Sequence, residues 1–325
     1  MSRGFDTANG EPGAAADDQE ASSFEAYKKA QARISRRRLW PVTVFYPAYA
    51  VIVLVLALRS PHPYIALGFF GVFIPLWTLV EFMFHRFILH GRFGPGKGII
   101  RKFAHERLDP LHWQHHARPF DGLHINGGVT DLLGLFIVAA LVSFLAPVYT
   151  LPVLLAGMVQ FYVVEEWVHH STHFYNLGGA YFRYIKRHHG FHHTAAGTEL
   201  GYGLTNGFWD MVFNTHYPEE VRRVLYGTRW SLSPWRARQK PLYDLDRIIG
   251  PILITATKAR ELSPEQAVDL LLKRPEVAKA AASFGAVHQV VLKALERLRK
   301  YGLTAEIHGH LTISEPNHLR AYIAA

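Results

Sequence analysis

The sequence predicts an all-α integral membrane protein that carries a polynuclear, histidine-ligated metal site. Three observations predict it. Apolar residues make up 49% of the 325 residues and charged residues only 19%, and the apolar residues are clumped into runs rather than spread at a helical period. Histidine is over-represented, with 20 in the chain and most of them between residues 85 and 193. Those histidines fall into four spaced sets, each beside a long apolar run: HX4H (His85, His90), HX2HH (His112, His115, His116), HX3H (His169, His173) and a second HX2HH (His189, His192, His193).

Residues 1–22 are rich in Gly, Ala, Asp and Ser without an apolar period and read as a disordered tail, with no secretory signal. Residues 24–38 read as a short basic helix ending in Arg36, Arg37 and Arg38, so 1–38 is a tail with a juxtamembrane helix. The first span is expected over 39–58, closed by Arg59 and with Pro47 as a kink candidate. A second span, 64–84, completes a helical hairpin. Both are close to the roughly 20 residues that cross a bilayer. After a polar segment, 85–130, come two further runs, 131–149 and 151–168, separated by little more than Thr150. This second hairpin is tight and is expected to span, or to be partly re-entrant.

The basic segments around Arg36 and over 85–130 belong on the cytoplasmic side by the positive-inside tendency. Four spans then put both termini and all four His sets on that face, in an inner, plasma or endoplasmic reticulum membrane. The formal net charge is +9, and its Lys and Arg lie beside apolar runs. Anionic headgroups, not nucleic acid, are therefore the expected counter-surface. The chain has no cysteine, which removes disulfides, thiolate zinc sites, iron–sulfur clusters and a Cys nucleophile.

Residues 39–218 form the membrane domain. Residues 219–262 read as an interfacial connector, because Arg229, Trp230, Trp235 and Arg236 mix the residue types of the headgroup zone. Residues 263–325 read as a small soluble α(+β) extension. Ser263, Pro264 and Glu265 make a helix start. Val287, Val290, Val291, Leu295 and Leu298 give a second helix over 287–301, stopped by Gly302, and 303–313 alternates like a strand pair.

Neutral imidazole ligates iron, zinc and copper. Residues four apart share a helix face, so His169 and His173 converge. Each HX2HH set occupies one arc of helix. His85 and His90 lie about 140° apart on an ideal helix, and they fit a helix end where Gly91 lets the chain bend. Two ions with about five histidines each would use all ten. His62, His288, His308, His310 and His318 read as polar surface, and His216 as structural. His105, His124, His170 and His188 lie off the ligand arcs, where they would support a ligand or touch substrate. No HExxH is present, which leaves a zinc protease of that type unsupported. Zinc with ten ligands and no open position would be structural, whereas iron could activate dioxygen. The residues alone reach a membrane-embedded, oxidative dinuclear site.

The ordered boxes, with two spans before the first and two between the second and third, resemble the fatty acid hydroxylase/sterol desaturase superfamily. Three details resemble its fatty acid 2-hydroxylase branch: His85-Arg86-Phe87 leading to His90; His115-His116 followed by Pro119-Phe120-Asp121-Gly122; and His188-His189-Gly190-Phe191-His192-His193 with Gly201-Tyr202-Gly203 and Trp209-Asp210 downstream. The likeness covers about 40–218. It implies a four-helix membrane anchor under a cytosolic helical cap, with a non-haem di-iron centre (two iron ions, zinc substituting in isolated protein) and O2 as co-substrate. One oxygen atom would enter a lipid acyl C–H bond and the other would leave as water. Carried over by motif, the ligands are His85, His90, His112, His115, His116, His169, His173, His189, His192 and His193. Glu166, three residues before the third box and beside Glu165, becomes the catalytic candidate, as ligand orienter or proton relay. Asp210 is expected to fix the cap. No fused haem domain is found, so a separate electron donor, ferredoxin-like or cytochrome b5-like, is implied. The alternatives are oxidation of a sterol, a carotenoid or an aminolipid headgroup at the same site, and a membrane metal-binding protein without catalysis.

Overall fold

The computed structural model describes residues 12–227 and 240–324. Arg229, Trp230, Trp235 and Arg236, the residues behind the interfacial reading, lie outside the described residues, as does the beginning of the tail.

Helix α1 (Pro12–Leu58) runs unbroken through part of the expected tail, the juxtamembrane helix and the first span. Tail and helix are thus one element from Pro12 onward. Its inward stripe, Leu39, Val42, Tyr46, Ala50, Val53 and Ala57, is almost wholly buried and recurs at three- and four-residue steps, one face of a helix. Helix α2 (Pro63–Met83) returns antiparallel and continues as a π-helical turn, Phe84–Leu89. Short helix α3 (Ile99–Phe103) leads through a second π turn, Ala104–Leu108, into α4 (Asp109–Ala117). Helices α5 (Val129–Ser143) and α6 (Leu151–Phe174) form the second hairpin.

Among the described residues, three helical segments are long and apolar enough to cross a membrane: Ala21–Leu58, Pro63–Leu89 and Leu151–Phe174. At 15 residues, α5 reaches only about 22 Å at 1.5 Å per residue, short of a hydrocarbon core of about 30 Å. Helix α6 is the centre of this layer. Tyr46 of α1 meets Phe136 of α5 and Tyr162 of α6 edge-on, with ring centroids 5.0 and 5.7 Å away. Gly157 of α6 lets α2 approach, since a Cβ there would lie 2.4 Å from the Phe73 ring. Outward residues such as Val44, Ile52 and Leu141 stay exposed, leaving the layer an apolar outer surface suited to hydrocarbon.

The remaining described elements form a second body: α7 (Ala180–His192), α8 (Phe208–Val212), α9 (Glu219–Tyr226), α10 (Tyr243–Ala259), α11 (Pro264–Leu272), α12 (Pro275–Ala282), α13 (Val287–Lys300), the antiparallel pair β1 (Thr304–Ile307) and β2 (His310–Ile313), and α14 (Pro316–Ile323). Ser263 caps α11 through the Gln266 N–H, 3.2 Å away, and Gly302 takes a left-handed φ of 70° after α13. One hydrophobic core joins Ile185 and Phe191 of α7 to Leu225, Leu245, Leu271, Leu298 and Tyr322. This corrects two expectations. Residues 243–259 are a central buried helix of that core rather than a surface connector, because Tyr243, Leu245, Ile249 and Leu253 are fully covered. Residues 263–325 are not a separate extension, because their apolar faces are buried against α7 and α10 as well as against one another.

Candidate metal centre

Four elements deliver the ten clustered imidazoles. The first is the π turn ending α2. There the His90 N–H bonds the His85 carbonyl at 3.1 Å, an i to i+5 closure that sets the two rings 5.0 Å apart. The bend expected at Gly91 is thus a widened helical turn, a feature that recurs at functional sites. Helix α4 supplies His112, His115 and His116, the last turn of α6 supplies His169 and His173, and α7 with its C-cap supplies His189, His192 and His193.

The rings sort into two groups. His85, His90, His112, His116 and His192 bring one ring nitrogen each to within 4.8 Å of one another, and His115, His169, His173 and His189 do the same. His193 stands at the junction, its Nε2 3.1 Å from that of His189 and its ring 4.6 Å from both His115 and His116. Each HX2HH box is therefore divided. On α4 the i, i+4 pair faces the first group and His115 the second. On α7 His189 faces the second group and His192 the first.

Burial, and then the neighbouring imidazoles, push His112, His115, His116, His189 and His193 well below the ordinary histidine range. His90 is pushed down to about 3 and His192 to about 4, again chiefly by burial. These rings are neutral at physiological pH, the form that ligates metal. Outer hydrogen bonds set the tautomer. His192 Nδ1 donates to the Leu200 carbonyl at 2.7 Å and His85 Nδ1 to the Tyr202 carbonyl, so Nε2 carries the free lone pair in each. The Nε2 atoms of His112 and His116 are buried without a hydrogen-bond partner. In the second group, Nε2 atoms of His115, His169, His173 and His189 approach at 2.9–3.2 Å. Adjacent ligands on an octahedral ion at about 2.1 Å would be about 3.0 Å apart, so the second group's spacing fits a first-row transition metal, and the first group gathers five donors of the same kind.

A loop and two carboxylates hold the first group. Asp210 is fully buried and accepts hydrogen bonds from the Tyr202 and Gly203 N–H groups and the Thr215 hydroxyl at 2.8, 3.0 and 2.8 Å. Burial alone would raise its carboxyl. The His188 imidazole 3.6 Å away, with hydrogen bonds from Thr215 and Gly203, outweighs burial and holds it below its ordinary value. Glu81, which the sequence reading passed over, accepts from Leu204 N–H, Thr205 N–H and the Thr205 hydroxyl at 2.6–2.8 Å. Its signal was available: a lone acid within an apolar span, four residues before His85.

Glu166 accepts from Asn126 Nδ2 at 2.7 Å and Gly127 N–H at 3.3 Å, fixing a turn whose Ile125 carbonyl pairs with the His169 ring. Glu165 accepts from Trp77 Nε1 at 3.0 Å. Of the intermediate histidines, His170 pairs with Ser35 at 2.7 Å and His188 with Tyr226 at 3.0 Å, while His105 and His124 bond the Phe93 carbonyl and Asp121. His318, expected to be plain surface, donates from Nε2 to the His116 carbonyl at 2.9 Å.

On the open side of the first group, Trp113 lies 5.3 Å from the His90 ring, with the Arg92 guanidinium 4.4 Å over its face. A cleft of about 350 Å³ opens there, lined by Arg92, Phe93, Gly94, His105, Asp109 and Trp113. A larger cavity, about 410 Å³, lies near Phe24, Pro251 and Arg320 and is lined by none of the ten histidines.

A family model described as fatty acid hydroxylase matches residues 70–215, which include all ten histidines. A dihydroceramide fatty acyl 2-hydroxylase of Arabidopsis thaliana is 31% identical over 186 residues, covering 56% of this chain and 75% of that protein. A fatty acid 2-hydroxylase of Rattus norvegicus is 31% identical over 159 residues, covering 48% of this chain and 41% of that protein. The chain thus spans less than half the length of the rat relative. The solved structure of full-length scs7p, with only its hydroxylase domain visible, aligns over 56% of this chain and 67% of that one, at 28% identity and a TM-score of 0.47. With the four histidine boxes inside the matched region and three quarters of the plant relative covered, the chain belongs to the fatty acid hydroxylase family.

Proposed function

We propose that the chain is a membrane-bound hydroxylase of fatty-acyl chains, 2-hydroxylase-like, working at a di-iron centre held by the two histidine groups. The observation that carries this is the gathering of neutral, buried imidazoles into two sets of inward nitrogens, in a chain whose relatives are named for acyl hydroxylation. His85, His90, His112, His116 and His192 would hold one ion, and His115, His169, His173 and His189, with His193, the other. Iron bound there supplies the redox chemistry by which dioxygen, two electrons and two protons place one oxygen atom in a C–H bond and release the other as water.

The chain's own residues do the rest. The Asp210 and Glu81 contacts hold the loop whose carbonyls fix the His85 and His192 tautomers. Glu166 orients His169 through the Ile125–Gly127 turn and acts as a positioning residue rather than a proton relay. The apolar helices give a lipid substrate lateral access, and the cleft beside Trp113 and Arg92 is an opening next to His90. The bilayer arrangement that suits these helices has α1 and α2 spanning and α5–α6 as a hairpin that enters and leaves by the same face, with both termini and the metal centre on the cytoplasmic side. A separate ferredoxin-like or cytochrome b5-like donor supplies electrons, with Arg86, Arg92, Arg101 and Lys102 offering a basic approach.

Lipid mass spectrometry of a host expressing the protein, beside the same host expressing His173→Ala, tests the reading. Acyl species gaining one oxygen only with the intact protein are expected, with fragment ions placing it on the chain. Oxygen on a headgroup, sterol or carotenoid would overturn the substrate assignment. No oxygenated product with iron bound and reductant supplied would overturn the hydroxylase reading.

A further inference from the structure

The two HX2HH helices share both candidate metal sites, so the position of α4 against α7 sets both. One helix touches both of them. Helix α14 lies beyond the 70–215 match, yet its His318 donates Nε2–H to the His116 carbonyl at 2.9 Å. His116 sits in the last turn of α4, which ends at Ala117, so that carbonyl is among those a helix leaves unpaired. The other contact is with α7, between its ligands. A Cβ on Gly190 would stand 3.0 Å from the Ala321 carbonyl, so the two backbones meet where His189 and His192 diverge to their separate groups.

Helix α14 is itself firmly held. The Tyr243 hydroxyl donates to the Tyr322 carbonyl at 2.6 Å, and the Tyr322 hydroxyl to Asp246 at 2.7 Å. Asp246 is fully buried and is ion-paired with Arg297 of α13. The Phe191 ring, between His189 and His192 in sequence, packs 4.9 Å from Tyr301 and 6.3 Å from Tyr322. An appendage that merely rested on the domain would need neither a hydrogen bond to a ligand's backbone nor a glycine-sized approach between two ligands.

We infer that α14 is part of the metal centre: a brace that holds α4 and α7 in register through His318 and through the Ala321 contact with Gly190. His318 and Ala321 are positioning residues that act through His116 and α7. The inference rests on the two-metal reading of the site.

The test uses the full-length protein in detergent or nanodiscs, loaded with Fe(II) or with Co(II) as a spectroscopic probe. Metal per chain, affinity by chelator competition and the Co(II) visible spectrum are measured for wild type, His318→Ala, His318→Gln, Gly190→Ala and a chain ending at Glu315. Contacts that support a ligand are worth tenfold or more in affinity. His318→Ala is therefore expected to bind about tenfold more weakly with a changed spectrum. His318→Gln, which keeps an N–H donor, is expected to recover both. Gly190→Ala, whose Cβ makes the Ala321 backbone give by a few tenths of an ångström, and the truncation are expected to weaken both sites. The brace is refuted if His318→Ala and Gly190→Ala hold two ions with wild-type affinity and spectrum, even where the truncated chain fails to fold. A wild-type chain that takes up no metal overturns the two-metal reading and this inference with it.

Discussion

Removing the Asp210 carboxylate should empty one metal site and spare the other. Asp210 holds three donors at 2.8–3.0 Å, two of them backbone N–H groups of Tyr202 and Gly203, in a fully buried position. Ala at this position leaves all three without an acceptor, at a cost of about 3–5 kcal/mol. Asn keeps a carbonyl for Tyr202 and Thr215 but turns an NH2 toward Gly203, at a cost of about 1–3 kcal/mol. The damage is directional. The loop carries Tyr202, whose carbonyl receives His85, and Leu200, whose carbonyl receives His192, and both rings belong to the first group. The second group is held elsewhere, with His169 on Ile125, and α7 is still tied through His188 to Tyr226 at 3.0 Å. Metal analysis and thermal unfolding of Asp210→Asn and Asp210→Ala should show a graded loss of stability and a fall from two ions per chain toward one. Two tightly held ions in Asp210→Ala, or equal loss from both sites, would refute the assignment of this loop to the first group.

Neighbouring substitutions on α4 should separate the sites: His112→Ala and His115→Ala are each expected to retain about one ion, with different Co(II) spectra, and identical residual spectra would contradict the division of the box. Glu166→Gln, which keeps an acceptor for the Ile125–Gly127 turn, should lose no more than a fewfold in metal affinity, whereas Glu166→Ala should lose about tenfold at the second site; a large loss of turnover in the Gln variant with metal affinity intact would restore the proton-relay role. The metal-free protein should be acid-labile. Its buried imidazoles are held well below 6.5, His192 at about 4 and His90 at about 3, so the unfolded chain binds more protons below that pH, and stability present above about 6.5 is lost as pH falls toward 3–4. At pH 5 this amounts to roughly 2 kcal/mol for a single such histidine, and a thermal midpoint of the apo protein unchanged between pH 7.5 and 5 would contradict neutral burial.

The convergence of the histidine boxes was legible because helix geometry brings residues at these spacings to one face. Four apart is one face, so His169 and His173 announced themselves. The 3.6-residue period also misled where the backbone left it. His85 and His90 look divergent on an ideal helix, and they converge only because the chain widens to an i to i+5 closure at Phe84–Leu89. Hydrophobic periodicity gives no sign of such a turn, because the flanking residues are as apolar as those of an ordinary span.

The C-terminal region failed to read correctly for a different reason. Val291, Leu295 and Leu298 show that one face of α13 is covered, but amphipathicity states that a face is buried and not what buries it. A soluble-looking run of short helices therefore suggested a separate body, while its core is in fact shared with Ile185 and Phe191 of α7. The same gap hid His318, a single histidine on an eight-residue helix with no partner at ligand spacing, whose only distinction is the carbonyl it meets 202 positions away. Glu81 is the instructive contrast. A carboxylate amid apolar residues is expensive unless it is fully hydrogen-bonded, so the residue itself required donors from elsewhere in the chain, and Leu204 and Thr205 provide them. An isolated polar group inside an apolar run carries long-range information because leaving it unpaired is costly, whereas an apolar face can be satisfied by any surface of suitable shape.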